Sequence, residues 1–268
     1  LEKEMVCLPA SIDTIAAYIL NLEDHYKLSS LQRKVSSISK AHQEAGYVEE
    51  NPVASPQIRE LMKGLRRDYK SKGQTQAPAI RLAQITPVCQ GLLADGGMKA
   101  VRDRAIILIG FFGAFRRSEV ASLMAEDIQR NENGLTITLR YSKTDQEGEG
   151  FVKAFPYRAD MATCPVRALD LWQNNSGSLS GILFRSVDRW GNVKDKSISD
   201  RDVDRIVRYY FGPDYSAHSL RAGFVTEAAA KGANTQAIMR QTGHKSAPTV
   251  QRYTRFNDAW EGNAVMDI

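Results

Sequence analysis

Apolar residues recur at helical spacing through the first quarter of the chain and then gather into longer runs. In residues 11–27 Ser11 precedes Ile12, Ile15, Ala16, Ile19 and Leu22, which predicts a capped amphipathic helix. A second helix is predicted from Ser29 or Ser30 to about Ala45, with Leu31, Val35, Ile38 and Ala41 or His42 inward and Gly46 at its end. Asn51-Pro52 and Ser55-Pro56 introduce a third, running to about Tyr69 with Ile58, Leu61, Met62 and Leu65 as its apolar stripe. The polar stretch 71–79 then breaks the pattern, so the chain is divided into residues 1–76 and 77–268.

Beyond the break, Ile85 to about Ala94 reads as a helix ended by Gly96-Gly97. Lys99 to Ala114 is apolar on all sides, which implies a buried helix. Leu135 to Tyr141 alternates with period two, Ser142 to Gly150 is a turn, and Phe151 to Phe155 returns as a second strand. Helices are predicted from Cys164-Pro165 to Trp172, from Asp200 to Phe211, from Ser219 to Ala230 and from Asn234 to about Gln241, and another after Pro248. Residues 174–181 form a polar loop, and 185–196 a polar, glycine-containing excursion that either touches a partner or merely connects. The class expected is mainly α with a small antiparallel β-sheet, an α+β domain preceded by a helical one.

Composition narrows the functional field. The 268 residues carry 43% hydrophobic content and a formal charge of +5, with a pI near 9.0, which favours a polyanionic partner without fixing one. The predicted third helix carries Arg59, Lys63, Arg66, Arg67, Lys70 and, beyond it, Lys72 against Glu60 and Asp68. Such a run is either a solvated face or a row of phosphate contacts. Cys7, Cys89 and Cys164 are scattered and include no C-x-x-C pair, which argues against a disulfide framework or a zinc site and for a reducing compartment. No apolar run approaches the roughly 20 residues that span a bilayer, so no membrane association is expected. The start Leu-Glu-Lys-Glu is not a signal peptide, and its lack of methionine suggests a preceding segment. The expected location is cytoplasmic and nucleoid-associated, or nuclear in a eukaryote.

Candidate chemistry concentrates in residues 216–255. His218 and Arg221 stand three apart at the mouth of a predicted helix, so both can address one small anion. Gly243 leaves His244 on a turn, and Tyr253 follows between Arg252 and Arg255. A phenol has a pKa of about 10, so it becomes a nucleophile only where cations stabilise the phenolate or a neighbour takes its proton. Arg116, at the end of the apolar run, is costly to bury unless it meets an anion or a carboxylate; otherwise it faces solvent beside Arg117.

His218-x-x-Arg221, then Gly243-His244, then Tyr253 nine residues after that histidine resembles the C-terminal signature of the tyrosine recombinase, or phage integrase, family. Gly113, Arg116, Ser118 and Glu119 match its G-x-x-R-x-S-E pattern, and Ser142-Lys143-Thr-Asp resembles its hairpin lysine, with Lys153 as a lesser substitute. The resemblance implies that Tyr253 is the nucleophile forming a 3′-phosphotyrosine. Arg116, Arg221 and His244 would hold the phosphate, His218 would position it and assist the phenol proton, and Lys143 would protonate the leaving 5′-oxygen. Glu119 would orient a member of the site, and neither ATP, a metal nor another cofactor is implied. It further implies a core-binding domain over 1–76 that closes with the catalytic domain as a C-shaped clamp on double-stranded DNA, with Arg59, Lys63, Arg66, Arg67, Lys70 and Arg117 as DNA contacts. A homo-tetramer on a specific recombination site is expected, linked by exchange of the tail containing Phe256, Trp260, Val265, Met266 and Ile268. The alternatives are nicking and religation in the manner of a type IB topoisomerase, and a regulator that binds DNA without cutting it.

Overall fold

The computed structural model describes residues 8–71, 78–140 and 150–243, without the side chains of residues 70 and 71. The chain divides into compact units Leu1–Gln76 and Ala77–Ile268.

In the first unit, α1 (Ile12–Glu23), α2 (Leu28–Glu44) and α3 (Pro56–Ser71) pack together, with a 3-10 turn at Pro52–Ala54 between the last two. Ser11 Oγ accepts the Thr14 amide at 3.1 Å, satisfying a donor that the first helical turn leaves without a partner. Ile15, Ile19, Leu31, Val35, Ile58, Met62 and Leu65 form the core; each large apolar side chain contributes about 1.5–3 kcal/mol on burial. His42 is buried within this unit, where Nε2 accepts the Ala10 amide at 3.0 Å and Nδ1 lies 2.9 Å from the Ile38 carbonyl. That pairing of both ring nitrogens with backbone groups gives it a structural role. Across α3 from the core, Arg59, Lys63, Arg66 and Arg67 are exposed, and Lys63 pairs with Glu60 at 3.1 Å.

The second unit begins with α4 (Leu82–Asp95), the buried α5 (Met98–Phe112) and the short α6 (Arg117–Ala121). A sheet of β1 (Ile128–Asn131), β2 (Gly134–Leu139) and β3 (Phe151–Pro156) follows, then α7 (Pro165–Ser176) and a two-stranded ribbon of β4 (Arg185–Val187) and β5 (Val193–Ser197). The chain then forms α8 (Asp200–Phe211), α9 (Ala217–Ala230) and α10 (Thr235–Thr242). Both sheets are antiparallel. Every residue of α5 from Ala100 to Phe111 is buried: the apolar run from Ala105 lies in the core, and the charged residues ahead of it are paired, Arg102 with Asp103 at 2.7 Å and Arg104 with the Ala162 carbonyl at 2.9 Å.

Several details depart from the sequence expectations. Helix α4 starts at Leu82, ahead of Ile85, because the Gln84 side chain accepts the Arg81 amide at 2.9 Å and closes an earlier first turn. Helix α7 runs on to Ser176 and stops where Gly177 turns left-handed at φ 67°. The strand read as Leu135 to Tyr141 is β2, ending at Leu139, and it has a further partner in β1. The polar excursion contains the β4–β5 ribbon. Of the predicted turn from Ser142 to Gly150, all but Gly150 lies outside the described residues, as does the segment after Pro248.

Two close approaches fix α9 in the unit. The Ile80 amide donates to the Ser219 carbonyl at 3.0 Å, and a Cβ on Gly223 would stand only 1.8 Å from the Ile80 carbonyl oxygen. The entering chain therefore lies against the backbone of α9, and Arg81 pairs with Glu227 at 2.6 Å to continue the attachment.

Candidate active site

The site is built on the C-terminal end of α5. A helix end leaves carbonyls without intrahelical donors and carries partial negative charge, so it attracts cations and N–H groups. Here three successive carbonyls are met by side chains from distant parts of the chain. Gln241 Nε2 donates to Phe112 O at 2.8 Å, Lys153 Nζ to Gly113 O at 2.6 Å, and Arg221 Nη1 to Ala114 O at 2.6 Å. The turn between α5 and α6 is tight: Ala114 has φ 47°, and a Cβ on Gly113 would lie 2.4 Å from the Phe115 ring. Glycine is thus required at 113 by space alone.

Two residues beyond Ala114, Arg116 caps α6. The Glu119 carboxylate accepts the Arg116 amide at 2.8 Å and its Nη1 at 2.5 Å. Glu119 is buried, while the Arg116 side chain retains 30% of its accessible surface. The carboxylate therefore holds the guanidinium in place and leaves part of it able to receive a ligand. Arg221 is 2% exposed and lies three residues after His218 on the first turns of α9.

The electrostatics bind these groups into one site. His218 opens to solvent on one side, but the packed protein behind it, followed by the Arg221 and Arg116 charges, holds its imidazole below the usual value of 6.5. The ring is therefore neutral at pH 7. Lys153 is 1% exposed, between the Phe115 and Phe151 rings at 4.8 and 5.2 Å from their centroids. Burial brings its pKa from 10.5 to about 7; Glu119 opposes that fall, and Arg221 and Arg116 add to it. Besides Gly113 O, its amine reaches the Gln241 carbonyl, so one side chain ties together α5, β3 and α10.

Arg116, Glu119, His218 and Arg221 thus converge, although Arg116 and Arg221 lie 105 residues apart in sequence. Lys143, His244 and Tyr253, like the tail, lie outside the described residues, as does the side chain of Lys70. Arg117 points away to pair with Asp200 at 3.1 Å. Arg59, Lys63, Arg66 and Arg67 belong to the first unit. The sequence offers Lys153 only as a replacement for Lys143; its position against the α5 end is not legible there, because it holds an inward strand position between Phe151 and Phe155. Two guanidinium groups and a neutral imidazole around one turn suit an oxyanion with several oxygens, such as a phosphodiester. Among the described residues no group of three or more His, Cys, Asp or Glu is placed to hold a metal ion. Nor, among them, is any helix long and apolar enough to cross a membrane.

Residues 81–259 match the model of the phage integrase family. An integrase/recombinase XerD homolog of Selenomonas ruminantium is 35% identical over 265 residues, covering 96% of this chain and 77% of that protein. A tyrosine recombinase XerC of Myxococcus xanthus is 26% identical over 169 residues, covering 60% of this chain but only 52% of the relative. Among solved structures, the Tn1549 transposon integrase in complex with circular intermediate DNA superposes with a TM-score of 0.65 at 16% identity, over 97% of this chain and 86% of that one. A lambda integrase dimer bound to a core site gives 0.61 at 16% identity, over 93% of this chain and 67% of that one.

Proposed function

The chain belongs to the phage integrase family of tyrosine-type site-specific recombinases, and we propose that it cuts and rejoins DNA at the phosphodiester received between Arg116 and Arg221. The observation that carries this reading is the convergence of those two arginines on the Ala114–Arg116 turn, with His218 within the field of both. Two guanidinium groups stabilise the additional negative charge of a five-coordinate phosphorane more than that of the starting diester, which lowers the barrier.

Tyr253 Oη attacks phosphorus in line, forming the 3′-phosphotyrosine as the bond to the 5′-oxygen breaks. Lys143 gives that oxygen a proton, and neutral His218 takes the phenol proton. His244 donates to a non-bridging oxygen, and Glu119 keeps Arg116 in register. The ester retains the phosphoryl group at an energy close to that of the original bond, so a 5′-hydroxyl from another strand reverses the step without an external energy source. The first unit acts as the core-binding domain, with Arg59, Lys63, Arg66, Arg67 and Lys70 against phosphates, and closes with the second around duplex DNA. Four copies assemble on paired sites by exchanging the tail that contains Trp260.

The test is covalent capture on a nicked suicide duplex bearing the recombination site. Wild-type protein gives an adduct, in the presence of EDTA as well. Tyr253→Phe binds the duplex but gives none. An adduct from that variant would remove Tyr253 from its role, and a strict need for divalent metal would defeat the mechanism.

A further inference from the structure

The β4–β5 ribbon contains a group that the chemistry above leaves unused. At its tip Trp190 is 71% exposed, and the Arg189 guanidinium lies 4.1 Å from the indole centroid. A large aromatic side chain held in water at the end of a ribbon contributes nothing to the core and leaves its ring face open to an external surface.

The tip is held rigidly. Asp188 Oδ1 accepts the amides of Trp190 and Asn192 at 2.9 Å each, and its other oxygen pairs with Lys194 at 2.8 Å. At the base, Ser197 Oγ donates to the Ala121 carbonyl at 3.1 Å, anchoring β5 to the end of α6, whose N-cap is Arg116. The ribbon is thus fixed to the helix that positions an active-site arginine.

Charge distribution selects the partner. Both ribbon carboxylates are taken, Asp188 by Lys194 and Asp195 by Arg185 at 3.1 Å. Arg189 and Lys196 are exposed and have no carboxylate partner among the described residues. Two uncompensated cations beside an exposed indole match a polyanion with stackable or groove-lining surfaces, and a five-residue strand reaches about 16 Å from its base. We propose that the ribbon tip is a DNA-contacting element: Arg189 and Lys196 engage backbone phosphates, and Trp190 packs against the sugar or base surface within one turn of duplex of the cleaved phosphate. This inference rests on the recombinase reading.

The experiment uses the full chain and a 30-base-pair random-sequence duplex at low salt. It measures affinity by anisotropy, the salt slope, and iodide quenching of Trp190 as the difference between wild type and Trp190→Phe. All the substituted residues are exposed, so the variants should fold, and thermal unfolding checks that they do. Duplex binding should shield Trp190 from iodide. Arg189→Ala with Trp190→Ala should weaken affinity about fivefold or more and lower the salt slope by about 1. Unchanged affinity and unshielded Trp190, in a protein that binds duplex and loses affinity on Arg59→Ala with Arg66→Ala, would overturn the ribbon proposal alone. Absence of duplex binding by the wild type would instead bring down the recombinase reading. Shielding that appears on self-association without DNA would make the tip a contact between copies and would also overturn the proposal.

Discussion

Replacing Lys153 with methionine keeps most of the buried stem and removes the amine that bridges two helix ends. In the native protein this amine titrates near 7, against 10.5 in an exposed lysine. The unfolded chain therefore binds the extra proton between those values, and by linkage the stability of the native state rises with pH across that window. At about 1.4 kcal/mol per pH unit, charging the buried amine costs the native state about 5 kcal/mol below pH 7, a cost that fades towards pH 10.5. Integrated from pH 6.5 to 9, the wild type should gain about 2–3 kcal/mol relative to Lys153→Met. The variant also leaves the Gly113 and Gln241 carbonyls without this donor, at about 1–3 kcal/mol each, whatever the pH. The two substitution effects nearly balance in acid, and the wild type wins in base. The measurement is urea unfolding of both proteins at several pH values followed by tryptophan fluorescence, which reports the second unit because Trp172, Trp190 and Trp260 all lie there. Parallel pH profiles would refute the argument, since they would mean that the native amine keeps its proton well above pH 7.

Two further perturbations test the geometry. Glu119→Gln retains one acceptor oxygen but loses the charge that holds Arg116, at about 1.5–3 kcal/mol for a charge-assisted bond. Single-turnover cleavage should fall at least about tenfold while duplex affinity changes little. Gly223→Ala puts a methyl group 1.8 Å from the Ile80 carbonyl oxygen and should lower stability by about 1–3 kcal/mol, whereas Gly91→Ala in α4, with no atom within 4 Å, should raise it by about 0.5–1 kcal/mol. Thermal unfolding of both variants checks the opposite signs.

Much of the fold was legible because burial leaves a periodic trace. The stripe of Ile58, Met62 and Leu65 placed α3, and the unbroken run from Ala105 to Phe111 placed α5 in the interior. Short polar strands leave no such trace: β1 reads Ile-Gln-Arg-Asn with one half-buried residue, and β4–β5 is held by turn chemistry around Asp188. At the candidate site, the spacing of His218 and Arg221 identified a shared helix face, but their approach to Arg116 depends on where α9 packs against α5. Lys153 escaped for a different reason. An inward strand position is ordinarily apolar, and carbonyls at the ends of α5 and α10 explain a lysine there.

The three capped carbonyls at residues 112–114 also constrain how a newborn chain acquires its activity. Arg116 leaves the ribosome early, yet two of the groups that fasten its turn, Arg221 and Gln241, are translated more than a hundred residues later. Until then Lys153 is the one of the three capping side chains already made, the Phe112 and Ala114 carbonyls lack theirs, and Arg116 has Glu119 beside it but no second guanidinium across the turn. A partly synthesised polypeptide, even one long enough to hold the first unit, α5 and the three-stranded sheet, cannot assemble the phosphate cradle. A cutting enzyme with this wiring is harmless to DNA for most of its own synthesis.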